Sequence, residues 1–333
     1  MLKDIQRSVA VLHDGGLVAF PTETVYGLGA DARNENAIRK VFTTKGRPLA
    51  HPLIVHIASI EQLDNWAVNI PAAAKLLAKC FWPGPLTLVL PKHPLVSNLI
   101  TGGQNTIAIR IPKHPLTLAM LQQFGGGIVG PSANTYGRLS PTSAEHVRNN
   151  LGNRVDYILD GGACEIGIES TIVHITDNEF NILRQGDITA DDIFQVLGSK
   201  FVNIATKEKP AIRVPGTAKA HYAPIKPLFL VQPEELLPIA KFMFTKKMNY
   251  SYLCFQQCPI ELLNTNWCQA PEQAFLYAKN LYAVLHKLDA EDIQGIIIEK
   301  PPQQLPWLAI TDRLTRASNG TLTLEMVMNK ALF

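Results

Sequence analysis

The chain has 333 residues, of which 47% are hydrophobic and 18% are charged, and this is the composition of an ordinary globular protein. The length favours two domains over one. The 31 basic and 28 acidic residues leave a net charge of +3, too balanced for the strong field of an indiscriminate nucleic-acid binder. Any anion that the protein binds is therefore expected in a local pocket.

Membrane and secreted proteins are also disfavoured. No apolar run approaches the roughly 20 residues that cross a bilayer, and residues 1–7 lack the apolar core of a signal peptide, so a cytoplasmic protein is expected. The five cysteines are dispersed and odd in number, unlike a disulfide framework. Cys254, Cys258 and Cys268 could contribute to a zinc site, but a single C-x3-C spacing without a second pair favours small buried hydrophobic residues.

The first half of the chain alternates short β-type runs with helical stretches, as an α/β sheet domain does. Strands are predicted at residues 17–20, 53–57, 86–90, 106–111, 127–130, 170–175 and 180–184. Helices are predicted at residues 3–13, 34–44, 72–80, 115–124 and 143–151. These strands are numerous and apolar enough to form a well-buried core.

A domain boundary is expected where this periodicity fades into turn-forming residues. We predict a first domain at residues 1–200, a linker at 201–226 and a small α/β domain at 227–333, with strands at 227–231, 250–255 and 295–299. A helix at 272–288 places Ala278, Leu281 and Leu285 on one apolar face. That face could bind a partner, but packing against its own sheet is the commoner use of such a stripe.

The first polar segment with chemical potential follows the strand that ends at Phe20. Thr22 and Thr24 offer hydroxyl groups and Glu23 offers a carboxylate, while Gly27 and Gly29 are expected to close a turn that lets the backbone approach a ligand. Open α/β sheets often hold ligands at strand ends. Glycine-containing polar turns are also routine connectors, so this pattern alone only suggests a site.

Two basic residues, Lys45 and Arg47, stand one residue apart at the predicted end of a helix. They could bind a polyphosphate, the arginine through its planar fork and the lysine as a point charge. They could equally complement the dipole of the helix at its C-terminus. His56 lies in an apolar strand, where a hydrogen-bonded core histidine is the usual finding.

Arg110 lies in the strand at residues 106–111, where alternation puts it on the face opposite the isoleucines, together with Thr106 and Ala108. Burial of an arginine is costly without an anion. The anion could be an internal carboxylate, but we favour the carboxylate of a ligand.

A glycine-rich strand at residues 125–130 leads into the polar segment with Ser132, Asn134 and Ser140, a layout that can present N–H groups and hydroxyls to phosphate oxygens. Neither the G-K-[ST] ending of a P-loop nor the G-x-G-x-x-G spacing is present. Ser170 begins the next predicted strand and Arg184 ends the one after it. Paired catalytic carboxylates, a nucleophile elbow and a metal-ligand helix motif are lacking from the sequence.

Taken together and in this order, these segments resemble the YrdC-type threonylcarbamoyl-AMP synthase family in its longer form. The similarity covers about residues 4–189 and continues at residues 221–224, His-Tyr-Ala-Pro. It implies an α/β protein with a twisted, mixed-sheet YrdC-like domain around an open cavity, and a smaller Rossmann-like C-terminal domain. We assign that second domain a lid or regulatory role as a hypothesis.

The resemblance implies a nucleotidyltransferase that converts L-threonine, bicarbonate and ATP to threonylcarbamoyl-adenylate and pyrophosphate, for modification of adenosine 37 in tRNA. Mg2+ would accompany ATP without a protein metal site, and downstream tRNA threonylcarbamoyl transferase machinery would receive the product. The positions that resemble threonine-binding residues are Thr24, His56, Arg110 and Ser170. Those that resemble ATP-binding residues are Lys45, Arg47, His51, Thr106, Ser132, Asn134, Ser140, Arg184 and Tyr222, with Lys45 and Arg47 also expected in catalysis.

This sequence departs from the family pattern at two places. His51 stands where asparagine usually precedes Pro-Leu, and Ala218 and Ala220 stand where the linker usually carries cations. An alternative function is a double-stranded RNA or tRNA-binding module. The cations are embedded among apolar strands and do not form a basic stripe, which predicts weak or absent direct tRNA binding. A carbamoyltransferase subunit is a second alternative, disfavoured because accompanying acylphosphatase and zinc-finger segments are missing.

Overall fold

The computed structural model describes residues 2–198, 201–203, 212–217 and 221–329. Contacts divide the chain into two compact units, one of residues 1–136 and 140–217, the other of residues 137–139 and 218–333. The predicted domain limits at residues 200 and 226 stay predictions. Part of the predicted linker, at 204–211 and 218–220, lies outside the described residues, and this part includes Ala218 and Ala220.

The first unit contains a mixed sheet in which ten strands are described. Its strands are β1 (Val18–Phe20), β2 (Gly27–Asp31), β3 (Ile54–His56), β4 (Leu86–Pro91), β5 (Thr106–Arg110), β6 (Ile128–Val129), β7 (Tyr157–Ile158), β8 (Thr171–Ile175), β9 (Glu179–Arg184) and β10 (Val202–Asn203). Their order across the sheet is β10-β9-β8-β4-β5-β3-β6-β2-β1-β7. The first and last strands of the unit therefore lie towards opposite edges of the sheet, and β5 and β3 lie at its centre.

Seven α-helices are described in the first unit. They are α1 (Leu2–His13), α2 (Glu35–Lys45), α3 (Ala72–Phe81), α4 (Asn98–Thr101), α5 (Pro115–Phe124), α6 (Ala144–Leu151) and α7 (Ala190–Leu197). Local signals set the limits of α2: the Asn34 side chain accepts a hydrogen bond from the Ala37 N–H at 3.1 Å, and Gly46 ends the helix at φ 62°. The end of α2 at Gly46 thus fixes the positions of Lys45, the last residue of the helix, and of Arg47, which follows the glycine.

The pairing of the strands brings together the strands that carry candidate site residues. Strands β3 and β5 are parallel neighbours in which His56 lies opposite Arg110. Strand β4 joins β5 to β8, so that Leu86 lies opposite Thr171, next to Ser170. Because paired residues on neighbouring strands face the same side of a sheet, His56 and Arg110 share one face.

The seven strands and five helices predicted for the first half are confirmed, with ends shifted by at most one residue. The expectation that Gly27 and Gly29 close a turn around a ligand is wrong, because both lie within β2. A Cβ added to Gly27 would lie 2.5 Å from Cζ of Phe20, and one at Gly29 would lie 3.1 Å from Cδ1 of that ring. These glycines make room for a core phenylalanine across the β1–β2 pair.

The second unit has a sheet in which all pairings between the five described strands are parallel. These strands are β11 (Leu228–Val231), β12 (Tyr250–Cys254), β13 (Asn266–Gln269), β14 (Gly295–Glu299) and β15 (Thr321–Leu322), in the order β13-β12-β14-β11-β15. The helices are α8 (Pro233–Thr245), α9 (Ala274–Ala290), α10 (Leu308–Ala317) and α11 (Leu324–Met328). The apolar face predicted for residues 272–288 is buried in α9, at Ala278, Leu281 and Leu285.

The three cysteines considered for zinc lie in this second unit, and Cys254 is buried. Burial raises the pKa of the Cys254 thiol above its usual value, which disfavours the thiolate that zinc requires. Within the described ranges, no group of three or more His, Cys, Asp or Glu side chains is arranged to hold a metal ion. Likewise, no helix of the described residues has the length and apolarity needed to span a membrane.

Candidate active site

Arg110, the last residue of β5, is the centre of a buried polar cluster in the first unit. Its Nε donates a hydrogen bond to the Gly84 carbonyl oxygen at 3.1 Å, and its Nη1 donates to Thr24 Oγ1 at 2.9 Å. Its Nη2 lies 2.8 Å from Oε2 of Glu23. Arg110 is 4% exposed, so the guanidinium is fixed in one orientation with little access to water. The internal carboxylate considered from sequence is thus present, and it is Glu23.

The turn after β1 orients Thr24 through a local hydrogen-bond pattern. Thr22 Oγ1 accepts from the N–H groups of Thr24 and Val25, both at 3.1 Å, and donates to the Val25 carbonyl at 2.6 Å. Side-chain hydroxyls often cap turns in this way. The Thr22 and Thr24 hydroxyls lie 2.8 Å apart, so Thr22 helps to aim Thr24 at Arg110.

His56, at the end of β3, packs beside Arg110 and edge-on to Phe20, with ring centroids 5.4 Å apart. Burial, followed by the charge of Arg110, lowers the pKa of His56 to about 3, so the imidazole is neutral at physiological pH. Its Nδ1 has no hydrogen-bond partner among the described residues. A Cβ on Gly130 would lie 2.7 Å from that nitrogen, so only glycine leaves this edge of the ring open.

Ser170 and Arg184 are joined to each other, although the sequence placed them in different binding sets. Arg184 donates from Nε and Nη2 to the Ser170 carbonyl, at 3.1 and 2.9 Å, and from Nη2 to Ser170 Oγ at 3.1 Å. Ser170 Oγ also lies 2.8 Å from Thr87 Oγ1. Arg184 further donates from Nη1 to the Pro215 carbonyl at 3.1 Å. Arg184 therefore fixes the start of β8 and the segment at residue 215 together.

Lys45 is buried at the end of α2, where its ammonium donates to the carbonyl oxygens of Ser132 and Asn134. The lysine thereby holds the polar segment after β6 against the helix. Burial, followed by the nearby charge of Arg47, lowers the pKa of Lys45 well below its usual value. The two carbonyl acceptors favour the charged form and oppose this effect. An anion bound here would also favour the charged form of Lys45.

Arg47 and His51 meet Tyr136 close to Lys45. The guanidinium carbon of Arg47 lies 5.6 Å from the centre of the Tyr136 ring, and its Nη2 donates to the Pro52 carbonyl at 2.9 Å. The Tyr136 hydroxyl lies 3.2 Å from His51 Nδ1. Burial and then the charge of Arg47 lower the pKa of His51, so this ring is also neutral near pH 7. Tyr136 is a member of this cluster that the sequence did not single out.

The remaining predicted residues are placed as follows. Ser140 Oγ donates to Glu169 Oε1 at 2.5 Å in the first unit, and both side chains are buried. Thr106 starts β5, four residues and about 13 Å from Arg110 at the usual rise of a strand. Tyr222 belongs to the second unit, where Cζ of Arg313 lies 5.2 Å from its ring centre and where it adopts φ 63°. Its prediction as an ATP-binding residue stays a prediction.

Models of known families match nearly the whole chain. Residues 10–186 match the Sua5, YciO and YrdC model described as telomere recombination, and residues 188–319 match the C-terminal domain of threonylcarbamoyl-AMP synthase. The chain belongs to the threonylcarbamoyl-AMP synthase family. The family and the two-domain α/β fold predicted from the sequence are thereby confirmed.

Individual members of the family are similar over almost their full length. The threonylcarbamoyl-AMP synthase of Pyrococcus abyssi is 38% identical over 331 residues, 94% of each chain. The Bacillus subtilis enzyme of the same name is 40% identical over 325 residues, 95% of this chain and 93% of its own. The crystal structure of Pyrococcus abyssi Sua5 complexed with L-threonine superposes with a TM-score of 0.86, at 37% identity and 95% coverage of each chain.

The chemistry that this arrangement can perform depends on charge. Arg110 offers a guanidinium to a small carboxylate, and the neutral His56 and Thr24 offer hydrogen bonds beside it. Lys45 and Arg47 form a second group of basic side chains at the end of α2. Each of these two groups can therefore receive an anion in buried surroundings, where electrostatic attraction is stronger than in water.

Proposed function

We propose that this protein forms L-threonylcarbamoyl-AMP and pyrophosphate from L-threonine, bicarbonate and ATP. The product would supply the threonylcarbamoyl group for modification of adenosine 37 in tRNA by downstream transferase machinery. The observation that carries the proposal is the buried guanidinium of Arg110, fixed by Gly84, Thr24 and Glu23 in a chain of this family. A family member of 37% identity has been solved in complex with L-threonine, which supports this amino acid as the substrate.

For the threonine side of the site, we assign Arg110 to the substrate carboxylate. The guanidinium fork suits a planar carboxylate, and burial strengthens the pairing. Thr24, His56 and Ser170 would complete this subsite with hydroxyl and imidazole groups. The neutral state of His56 suits a hydrogen bond to an uncharged hydroxyl group better than an ion pair.

For the ATP side, we assign Lys45 and Arg47 to the phosphates and to catalysis. Their positive charges would balance the charge that develops on the leaving pyrophosphate. Further contacts to the nucleotide would come from imidazole, hydroxyl, amide and cationic groups. We assign these contacts to His51, Thr106, Ser132, Asn134, Ser140 and Arg184. Lys45 already orders the segment of Ser132 and Asn134, which supports a common role for these three residues.

The proposed reaction needs no covalent enzyme intermediate. The threonine amine adds to bicarbonate with loss of water and gives a carbamate, whose oxygen attacks the α-phosphorus while the bond to pyrophosphate breaks. An enzyme that holds the two reactants side by side in the correct orientation makes a bimolecular step effectively unimolecular, which is a large source of rate enhancement. Arg110 and the Lys45–Arg47 pair would supply this alignment.

Mg2+ stays a proposal that rests on ATP chemistry. The described residues do not form a cage for it, since Glu23 is paired with Arg110 and Glu169 accepts a hydrogen bond from Ser140. The ion would enter with the phosphates and neutralise part of their charge. The residues named above would then orient the nucleotide.

The test of this function is pyrophosphate release by the purified protein with ATP, Mg2+, bicarbonate and L-threonine, omitting each in turn. We expect release to require both threonine and bicarbonate. Arg110→Ala and Lys45→Ala should each abolish it. Arg148→Ala should retain it, because the Arg148 guanidinium is 56% exposed in a surface pair with Asp160. Release without threonine dependence would contradict the proposal.

An RNA-binding module without catalysis is the alternative from another functional class. It would bind tRNA with a steep dependence on salt, because cations contacting phosphates release counterions. We expect weak or absent binding, since the cations of the cluster are buried. A cytoplasmic location and the division into a catalytic domain, linker and C-terminal domain also stay predictions from the sequence.

A further inference from the structure

Glu23 carries a buried carboxylate that has no role in the proposed threonine and ATP subsites. Its side chain is 2% exposed, and its Oε2 lies 2.8 Å from Nη2 of Arg110 without the alignment of a hydrogen bond. Its Oε1 has no hydrogen-bond partner among the described residues. A charged oxygen removed from water in this way is costly unless a further group binds it.

The neighbours of Glu23 do not compensate this open oxygen. Its charge affects the pKa values of His114, Cys164 and Asp187, so these ionisable groups lie close to it. Burial lowers the pKa of His114 and raises that of Cys164 to about 12, so neither is charged near pH 7. Asp187 adds a negative charge or, when protonated, no charge. Arg110 is therefore the cation that the described residues place beside Glu23, and Oε1 stays open to a further charged hydrogen-bond donor.

An unsatisfied group of the cation Arg110 lies beside the unsatisfied carboxylate of Glu23. Nη2 of Arg110 and Nδ1 of His56 also lack hydrogen-bond partners among the described residues. An α-amino acid carries its carboxylate and its ammonium group on a single carbon, so a receptor for both must place opposite charges within a few ångströms. The Glu23–Arg110 pair has this spacing, with its charged atoms 2.8 Å apart.

We propose that Glu23 binds the α-ammonium group of the amino-acid substrate, and that the Glu23–Arg110 pair thereby recognises the zwitterion. The inference rests on the proposed function, which assigns the substrate carboxylate to Arg110. Glu23 then determines specificity for amino acids over hydroxy acids of the same shape. A buried carboxylate that loses its cationic partner is left with an uncompensated charge, so such analogues are rejected.

The test measures ligand binding without turnover. L-Threonine is compared by calorimetry with the dihydroxybutanoate in which a hydroxyl replaces its α-amino group, at the same configuration. The native protein should prefer threonine by about tenfold or more, the scale of one charge-assisted hydrogen bond. Glu23→Gln should weaken threonine binding about 10- to 100-fold and leave the analogue unchanged or slightly improved.

Glu299→Gln is the matched control, because Glu299 is a buried glutamate of the second unit that accepts the Phe255 N–H at 2.8 Å. It should leave both affinities at the native level. Equal weakening of the two ligands by Glu23→Gln would assign Glu23 a structural role and overturn the proposal. Unchanged threonine affinity in that variant would overturn it as well.

If Glu23→Gln does not fold, Glu23→Asp carries the test, since it keeps the charge and shortens its reach. It should bind threonine more weakly than the native protein and still prefer it to the analogue; loss of that preference would overturn the proposal. Failure of the proposed function is a different result. It would appear as native protein that releases no pyrophosphate in response to threonine and bicarbonate.

Discussion

At the scale of single residues, the structure places charges where water cannot screen them. Arg110 is held by a carbonyl, a hydroxyl and a carboxylate, so its orientation is set before any ligand arrives. Preorganised charges of this kind cost no rearrangement when a substrate binds. The consequence is that small changes in side-chain shape should affect binding even when the charge is kept.

Replacing Arg110 by lysine tests this point. Lysine keeps the positive charge but loses the planar fork that reaches Gly84, Thr24 and Glu23. We expect the KM for L-threonine to rise about 10- to 100-fold, with the KM for ATP changed much less. Pyrophosphate release at varied substrate concentrations measures both, and Arg148→Lys is the exposed control. An equal rise in both constants would argue against a threonine-specific role.

His56 should make stability dependent on pH. Its pKa is about 3 in the folded protein against an ordinary value of 6.5, so below pH 6.5 the unfolded chain binds the proton more strongly. The contribution of neutral His56 to the free energy of unfolding is therefore fully present above pH 6.5. It decreases by about 1.4 kcal/mol per pH unit as the pH falls from 6.5 towards 3. Urea unfolding at pH 7 and pH 5 should show a smaller difference for His56→Gln than for the native chain.

The exposed His13 provides the comparison, because its replacement by glutamine should leave this pH dependence as it is. An identical difference between pH 7 and pH 5 for native protein and His56→Gln would show that other groups control acid stability.

At the scale of elements, short polar signals at helix ends and strand ends decide where side chains emerge. Helix α7 begins with a reciprocal pair in which Thr189 Oγ1 accepts the Asp192 N–H at 3.2 Å and Asp192 accepts the Thr189 N–H at 2.8 Å. The hydrogen bonds of this capping box join residues 189 and 192 to each other, so the box serves the helix itself. Its loss should therefore affect stability without affecting chemistry.

Thr189→Ala should lower the free energy of unfolding by about 1 kcal/mol, the usual cost of removing a helix cap. The KM values for threonine and ATP should stay at their native levels. Chemical denaturation and the pyrophosphate assay measure the two effects separately. Thr43→Ala is a matched control, because its exposed hydroxyl bonds to the Arg39 carbonyl within α2 and caps no helix. A loss of activity in Thr189→Ala at full stability would contradict this separation.

At the scale of the whole molecule, the two compact units each have their own sheet and core. The threonine-binding residues that we assign all belong to the first unit. A ligand that binds only the folded form of that unit stabilises it by mass action. The unfolding of the first unit should therefore respond to threonine directly.

L-Threonine at 100 times its Kd should raise the free energy of unfolding of the first unit by about 2.7 kcal/mol. Calorimetry of the full chain should show the shift as a higher Tm for the transition of that unit. D-Threonine supplies the matched ligand control, and Arg110→Ala the matched protein control, and neither should give a shift. A shift of equal size with D-threonine would indicate nonspecific binding.

The sequence by itself determined the periodic elements and the family. Short β-type runs predicted β1, β3 to β6, β8 and β9, and helical spacing predicted the buried face of α9, because these patterns depend on neighbours a few residues apart. The unusual burial of Arg110 could also be predicted, since an arginine among isoleucines requires an anion. Strand β2 was missed because its two glycines resemble a turn until Phe20 is seen to pack across them.

Only the tertiary structure decided which polar groups meet. Thr24 and Arg110 are 86 positions apart, and their contact depends on the order of strands in the sheet, which local patterns do not encode. The Glu23–Arg110 pair, the Tyr136 contact with His51 and the bonds from Arg184 to Ser170 arise in the same way. Sequence patterns identify groups that are costly to bury, whereas the fold alone determines the partners that make their burial possible.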